Sequence, residues 1–380
     1  MKRAIPILCL VFLLSVVLIF SLPTIIIFAA KQQLKHIFVD SKVTISACRL
    51  NPFSSLVFAD IEIVRLPVYD FKIKQAGIYY HPLALLKGRI AKFSLEDAKI
   101  SLEMPGQSLA ALKNYLKLNA RSAFLLNCAE FSRLELNLKT QELILQAQLS
   151  SRVNLSQQSL DYLDLKIDHL DSGQLNLSNA LLNVDSAAPA GALRIDKIQL
   201  SKLRLEKIQG ASKLKEKVLT LHSLSAEFLG GNTNGQIEIS WDKRLEYAAR
   251  IQFINIDLEK LVQDLELKEK IQLSGTLGGS LTLKGAGAAI NILSGDFKAS
   301  ETGGVLAISD TGYLENIARS SNQSLDILLE SFKNYRYNTG IAKLSLHQGD
   351  LVLDAALEGQ AGKRNLTVTL HDFKLIREGL

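Results

Sequence analysis

Three cysteines in 380 residues exclude a disulfide framework. Cys9 lies in the apolar N-terminal run, while Cys48 and Cys128 either pair, if the body faces an oxidising compartment, or sit as two buried free thiols. The histidines (His36, His81, His169, His222, His347 and His371) never fall within five residues of one another, so no local metal-ligand pair exists. Gly-x-Ser-x-Gly, a P-loop and a Gly-x-Gly-x-x-Gly turn following a strand are all missing. These gaps argue against a cofactor, a metal centre and an enzyme. Aromatic residues reach only 7%, and the net charge of +6 comes from basic and acidic residues interleaved along the chain. With no Lys/Arg block and no aromatic-basic platform, nucleic acid is excluded as a partner. Proline almost disappears after Met104, where only Pro105 and Pro189 remain, as suits a long run of hydrogen-bonded strands.

Charge is also missing from Ala4 to Ala30. That run exceeds the roughly 20 residues needed to cross a ~30 Å hydrocarbon layer. It is longer than the ~7–15 residues of a signal-peptide core, and Phe28 stands where cleavage would want a small residue. Residues 1–35 are therefore expected to form an uncleaved membrane anchor. Lys2 and Arg3 place the N-terminus in the cytoplasm, with the body on the other side.

What the chain has in abundance is alternation. Leu134, Leu136 and Leu138 alternate with Glu135 and Asn137, and Leu143, Leu145, Ala147 and Leu149 follow. Leu163, Leu165 and Ile167 face away from Asp164, Lys166 and Asp168. The pattern returns at Leu193 and Ile195, at Ile251 and Phe253, at Ile271 and Leu273, at Leu281 and Leu283, at Leu351 and Leu353, and at Leu366, Val368 and Leu370. Period-two alternation means strands with one apolar and one wet face. Gly230-Gly231-Asn232 and Gly278-Gly279 supply turn signals between them. Helical patterns are few: 108–117, 257–266, and an amphipathic helix from 310 to 333 expected to lie on the sheet.

Order and spacing of several stretches are similar to the AsmA-like superfamily of envelope proteins of diderm bacteria, which includes AsmA-, TamB- and YdbH-type members. Leu56–Ile63 reads as an opening strand, and Ala76–Ile90 as a strand, a short Leu-Leu helix, a glycine and a further strand. Gly230-Gly231, Gly235-Gln236-Ile237, Ile256–Leu261, Leu273–Leu277 and Leu281–Gly285 resemble the superfamily's later region. Gly303–Ile308, Phe332–Tyr337 and Gly349–Leu353 resemble the C-terminal module of YdbH-type proteins.

The resemblance implies a mainly β protein, an elongated and twisted antiparallel sheet forming a taco-like apolar groove, with a few short helices and one N-terminal transmembrane helix. Its expected segments are an anchor over 1–35, strand-and-helix steps over 36–130, a continuous groove over 131–300, and a helix-plus-strand module over 301–380. Phospholipid acyl chains are the implied partner. Candidate lining residues are Leu134, Leu136, Leu145, Leu165, Ile167, Leu193, Ile195, Ile251, Phe253, Ile271, Leu273, Leu281, Leu283, Leu351, Leu353 and Val368. An apolar face must bury against something, and the sequence shows no obvious second layer to cover it. The implied function is shielding or transfer of phospholipid between membranes by a periplasmic body, held to the inner membrane through residues 4–30. The alternative is an assembly factor that binds outer-membrane or other periplasmic proteins and carries no lipid.

Overall fold

The computed structural model describes residues 22–104, 106, 125–173, 175–188, 190–242, 244–287, 289–309, 315, 330 and 332–371. The chain divides after Gly173 into two units, Met1–Gly173 and Gln174–Leu380. Both are built mainly of β-strands.

In the first unit the strands β1 (Lys42–Asn51), β2 (Ser55–Arg65), β3 (Tyr69–Tyr79), β4 (Arg89–Met104), β5 (Leu125–Thr140), β6 (Ile144–Asn154) and β7 (Ser159–Asp171) pair in chain order. The expectation of a purely antiparallel sheet fails at one place: β4 and β5 run parallel, with Ile100 opposite Leu136. A parallel step needs a crossover of a dozen or more residues, and the segment 105–124 supplies that length. The helix expected over 108–117 falls in that segment, outside the described residues.

Opposed residues share a face, so Val43 with Ile63, Ile45 with Ile61, and Leu102 with Leu138 stack into one apolar layer. A helix over residues 22–37, α1, covers part of it. Ile27, Ala30 and Leu34 recur at helical spacing and pack against the buried cluster to which Val43, Ile63, Tyr69 and Leu102 belong. Of the expected membrane span only residues 22–30 are described, and they belong to α1. Among the described residues no helix is long and apolar enough to cross a membrane. Cys48 on β1 and Cys128 on β5 are free thiols, separated by the strands between them. Burial pushes the Cys48 thiol above its ordinary pKa.

A row of charges crosses β2 to β5. The registers set Asp60 beside Lys74, Lys74 beside Asp97, and Asp97 beside Arg133. Lys74 Nζ lies 3.2 Å from Asp97 Oδ2, and Arg133 Nε lies 2.5 Å from Asp97 Oδ1. Asp60, Asp97 and Arg133 all have positive φ, between 50° and 55°, and the β5–β6 ladder slips between Phe131 and Leu134. Extra residues of this kind bend a strand and increase its twist. Here they also reset the alternation, so that Phe131 and then Leu134, Leu136 and Leu138 keep to the apolar side.

In the second unit β8 (Leu175–Asp185), β9 (Gly191–Leu200), β10 (Leu203–Lys215), β11 (Val218–Phe228), β12 (Gly231–Ser240) and β13 (Glu246–Asp257) form an antiparallel ladder. It continues through β15 (Thr276–Ala286), β16 (Ala289–Ala299), β19 (Thr339–His347), β20 (Asp350–Gly359) and β21 (Gly362–Leu370). Leu193, Ile208, Leu221 and Ala226 form the buried centre of its first half.

Two excursions leave this ladder. Between β13 and β15 the chain makes α3 (Leu258–Asp264) and β14 (Ile271–Leu273), and between β16 and β19 it makes β17 (Gly304–Ile308) and β18 (Tyr335–Tyr337). The Asp257 carboxylate caps α3, accepting from the backbone N–H of Glu259 at 2.8 Å and of Lys260 at 3.3 Å. β14, β17 and β18 pair into a separate three-stranded sheet. The expected absence of a second layer is thus corrected for this part of the chain. Ile271 and Leu273, expected in the same sheet as Ile251 and Leu281, belong to the small one. Gly303, with φ of 63°, sits where a Cβ would collide with the Tyr337 carbonyl, so only glycine passes from β16 into β17 without strain. The helix expected over 310–333 lies outside the described residues, apart from 315, 330, 332 and 333.

Leu102 is 3% exposed in the first unit's core, whereas Leu86 is 85% exposed. Leu102→Ala is expected to lower unfolding free energy by about 2–5 kcal/mol, and Leu86→Ala to stay within about 0.5 kcal/mol of the parent. Urea denaturation of the two variants measures both.

Candidate functional site

The small sheet and α3 lie over the apolar face of the second unit's last strands without filling the space beneath them. What remains is a cavity of about 590 Å³, within the roughly 300–1,000 Å³ typical of ligand clefts. Its floor is made by Phe253 of β13, Leu277 of β15, Phe297 and Ala299 of β16, Ala342 of β19, Leu353, Ala355 and Leu357 of β20, and Leu366 and Val368 of β21. Its roof is made by Leu258 and Leu261 of α3, Ile271 and Leu273 of β14, Leu306 and Ile308 of β17, and Tyr337 of β18. Lys270 and Lys298 are the charged residues on the lining. Among the described residues no three His, Cys, Asp or Glu side chains gather as a metal site.

Register explains the floor. Phe253 stands opposite Gly279, and Gly279 opposite Phe297, so two large rings flank a position with no side chain. The rings lean over it, with centroids 5.8 Å apart, and Phe228 adds a third ring 5.9 Å from Phe253. A Cβ at Gly279 would meet the Phe297 ring at 2.6 Å, so glycine is what leaves room for that ring.

Two tyrosines fasten the roof. Tyr337 is 2% exposed and its hydroxyl donates to the Ser274 carbonyl at 2.7 Å, joining β18 to the end of β14. The Tyr335 hydroxyl reaches the Leu357 carbonyl at 3.1 Å and the Gly362 carbonyl at 2.5 Å, tying β18 to the hairpin of β20 and β21. Burial raises the pKa of both phenols. Phe332, Leu306 and Ile308 fill the space around them.

Of the sixteen expected lining residues, the structure brings Phe253, Ile271, Leu273, Leu353 and Val368 to this cavity. Ile251, Leu281, Leu283 and Leu351 share the floor's face by alternation and register but lie beyond the cavity. Leu193 is in the buried cluster of the first half of the ladder, and Ile195 packs against it. Leu134, Leu136, Leu145, Leu165 and Ile167 share one face of the first unit's sheet, through the pairs Leu136 with Ala147, Leu138 with Leu145, Ala147 with Ile167 and Leu149 with Leu165.

Sequence reasoning missed Phe297 and the roof residues Leu306, Ile308 and Tyr337. A signal existed for β17: Gly304–Ile308 is apolar without alternation, the mark of a strand buried on both faces, and Leu306, Ala307 and Ile308 are indeed all buried.

The fold and site define a β-sheet protein with a roofed apolar cavity. The chain belongs to the YdbH-like family: a family model described as "Intermembrane phospholipid transport protein YdbH" matches residues 84–369. No curated protein sequence and no solved structure matches it.

Ionised Tyr337 would place a charge in the apolar layer, which is why its pKa sits above the ordinary 10.0. A raised folded-state value means this stabilisation is complete below pH 10.0 and is lost as pH climbs through the raised value. Tyr337→Phe is expected to remove part of the alkaline loss of stability and to cost about 1 kcal/mol at neutral pH through the lost hydrogen bond. Thermal melts across the pH range test both effects.

Proposed function

We propose that this protein shields phospholipid acyl chains in transit between membranes, holding them on the apolar face of its sheet and in the roofed cavity. The observation that carries this reading is the cavity: its walls are aliphatic and aromatic, and its floor continues outward as an apolar face through Ile251 and Leu281. Each methylene taken from water onto such a surface is stabilised by about 0.8 kcal/mol. Walls of Leu, Ile, Val and Phe hold tails of varied length without reading their chemistry, which serves transport better than catalysis. Family membership supports lipid as the cargo and the cell envelope as the setting. In this reading the sheet is a taco-like groove, its body is periplasmic, and the apolar N-terminal run ahead of α1 holds it to the inner membrane.

A second reading, an assembly factor for outer-membrane proteins, is favoured by β21. Among the described residues this strand pairs only with β20, and an open edge can accept a strand from another chain.

Native mass spectrometry and lipid extraction of the full chain decide between them. Co-purifying phospholipid is expected. Leu353→Asp and Phe253→Asp, each placing a charge in the cavity, should lower it about tenfold or more, since an unpaired buried carboxylate costs well over 1.4 kcal/mol. Ile254→Asp, on the opposite face of β13, should leave it unchanged. Full lipid content in both cavity variants, or a lipid-free parent, would remove the transport reading.

A further inference from the structure

The strands of the first unit end in two rims of opposite character. At one rim lie the β1–β2 turn at 51–55, the segment 79–89 with its short helix α2 (Pro82–Leu85), the start of β5, and the β6–β7 turn at 154–159. Backbone hydrogen bonds join them in series. Tyr80 N–H donates to the Ser54 carbonyl at 2.9 Å, Leu125 N–H to Gly88 at 2.7 Å, and Leu155 N–H to Asn127 at 2.8 Å.

Five large apolar side chains project from this rim: Phe53, Leu83, Leu86, Leu125 and Leu155, between 44% and 85% exposed. Single exposed leucines are ordinary on a protein surface, but five on one rim are not. Arg49, Lys87 and Arg89 are exposed among them. The segments 41–59, 71–95, 125–129 and 153–160 contain no Asp or Glu. Inward of the rim the cations are engaged: Arg152 pairs with Asp161 at 3.4 Å, and Lys92 with Glu130 at 2.8 Å while lying over the Tyr79 ring. The opposite rim is different. It carries Asp40, Asp70, Glu103, Glu142 and Asp171, with Leu66 as the large apolar side chain that stands out.

We infer that the rim bearing Phe53, Leu86 and Leu125 docks on an anionic lipid bilayer surface. The apolar tips enter the boundary between headgroups and acyl chains, and Arg49, Lys87 and Arg89 meet the lipid phosphates and anionic headgroups. Apolar projections interleaved with cations and free of carboxylates are what such an interface selects. The knobs stand on separate turns, and the missing acids match a surface of one charge. The inference concerns the first unit alone and stands whether or not the second unit carries lipid.

The native chain has a single tryptophan, Trp241, so Trp241→Phe gives a dark background. On it, Leu86→Trp and Phe53→Trp report on the docking rim and Leu66→Trp on the opposite one, each in the full chain. Both rims ride on the same molecule, so the contrast between them reports which rim meets the lipid. With vesicles of phosphatidylglycerol and phosphatidylcholine brominated on their acyl chains, fluorescence at positions 86 and 53 is expected to fall by about half or more. Position 66 should stay bright, and in pure brominated phosphatidylcholine the quenching should be at least about twofold weaker. Adding Lys87→Glu and Arg89→Glu should abolish the difference between the two vesicle types. Absent quenching at both 53 and 86, equal quenching at 66, or quenching indifferent to headgroup charge would each overturn the proposal. A protein partner in place of the bilayer would give the first of these results.

Discussion

A sheet with one apolar face depends on register. Side chains alternate with a period of two, so a slip of one residue in any strand would turn its leucines toward water. Each strand here must present its apolar set to the same side as its neighbours, and the pairs Val43 with Ile63, Leu102 with Leu138 and Ile251 with Leu281 show that it does. Asp97 and Arg133, both with positive φ, sit beside one another on β4 and β5, so that when one strand resets its alternation the next resets with it. Charge holds that row together, since Asp97 takes both Lys74 and Arg133. The second unit uses the same device with an amide: Asn179, at φ 52°, donates from Nδ2 to Asp196 Oδ2 at 3.0 Å.

The site follows from that constraint. Once the apolar sides agree, the face needs a cover. The chain supplies one at the end of the second unit by leaving the ladder twice and returning. The cover is thin, however, and Phe253, Leu277 and Leu353 beneath it remain only half-buried. A complete second sheet would have packed this space, as the interiors of β-sandwiches are packed. The space left open is apolar because its floor belongs to the same alternating pattern as the rest of the sheet.

Much of this was legible in the sequence. Alternation around Leu134, Leu165, Ile251 and Leu353 marked strands and their apolar sides, and the helical pattern over 257–266 marked α3. The order of degenerate Gly-Leu motifs pointed to the YdbH-type relationship. The small sheet was not legible, because its strands are short and their partners distant. Gln272 pairs with Ala307, and Leu306 with Tyr335, pairings that no local pattern carries. Ile271 and Leu273 alternate around Gln272 just as a groove strand would, so the pattern gave their period but not their sheet. The parallel step from β4 to β5 was hidden for a related reason: strand direction depends on how far the connection travels.

The bond between Tyr337 and Ser274 spans 63 positions of chain. The hairpin of β15 and β16 lies between these two ends and shortens the loop they must close, because closing so long a loop without intermediate pairing is entropically unfavourable. The cover is therefore assembled late. A ribosome delivering this polypeptide exposes a bare leucine-rich face for the time it takes to reach Tyr337. During that interval the apolar face has no cover of its own, and exposed apolar surface of this kind is prone to aggregation.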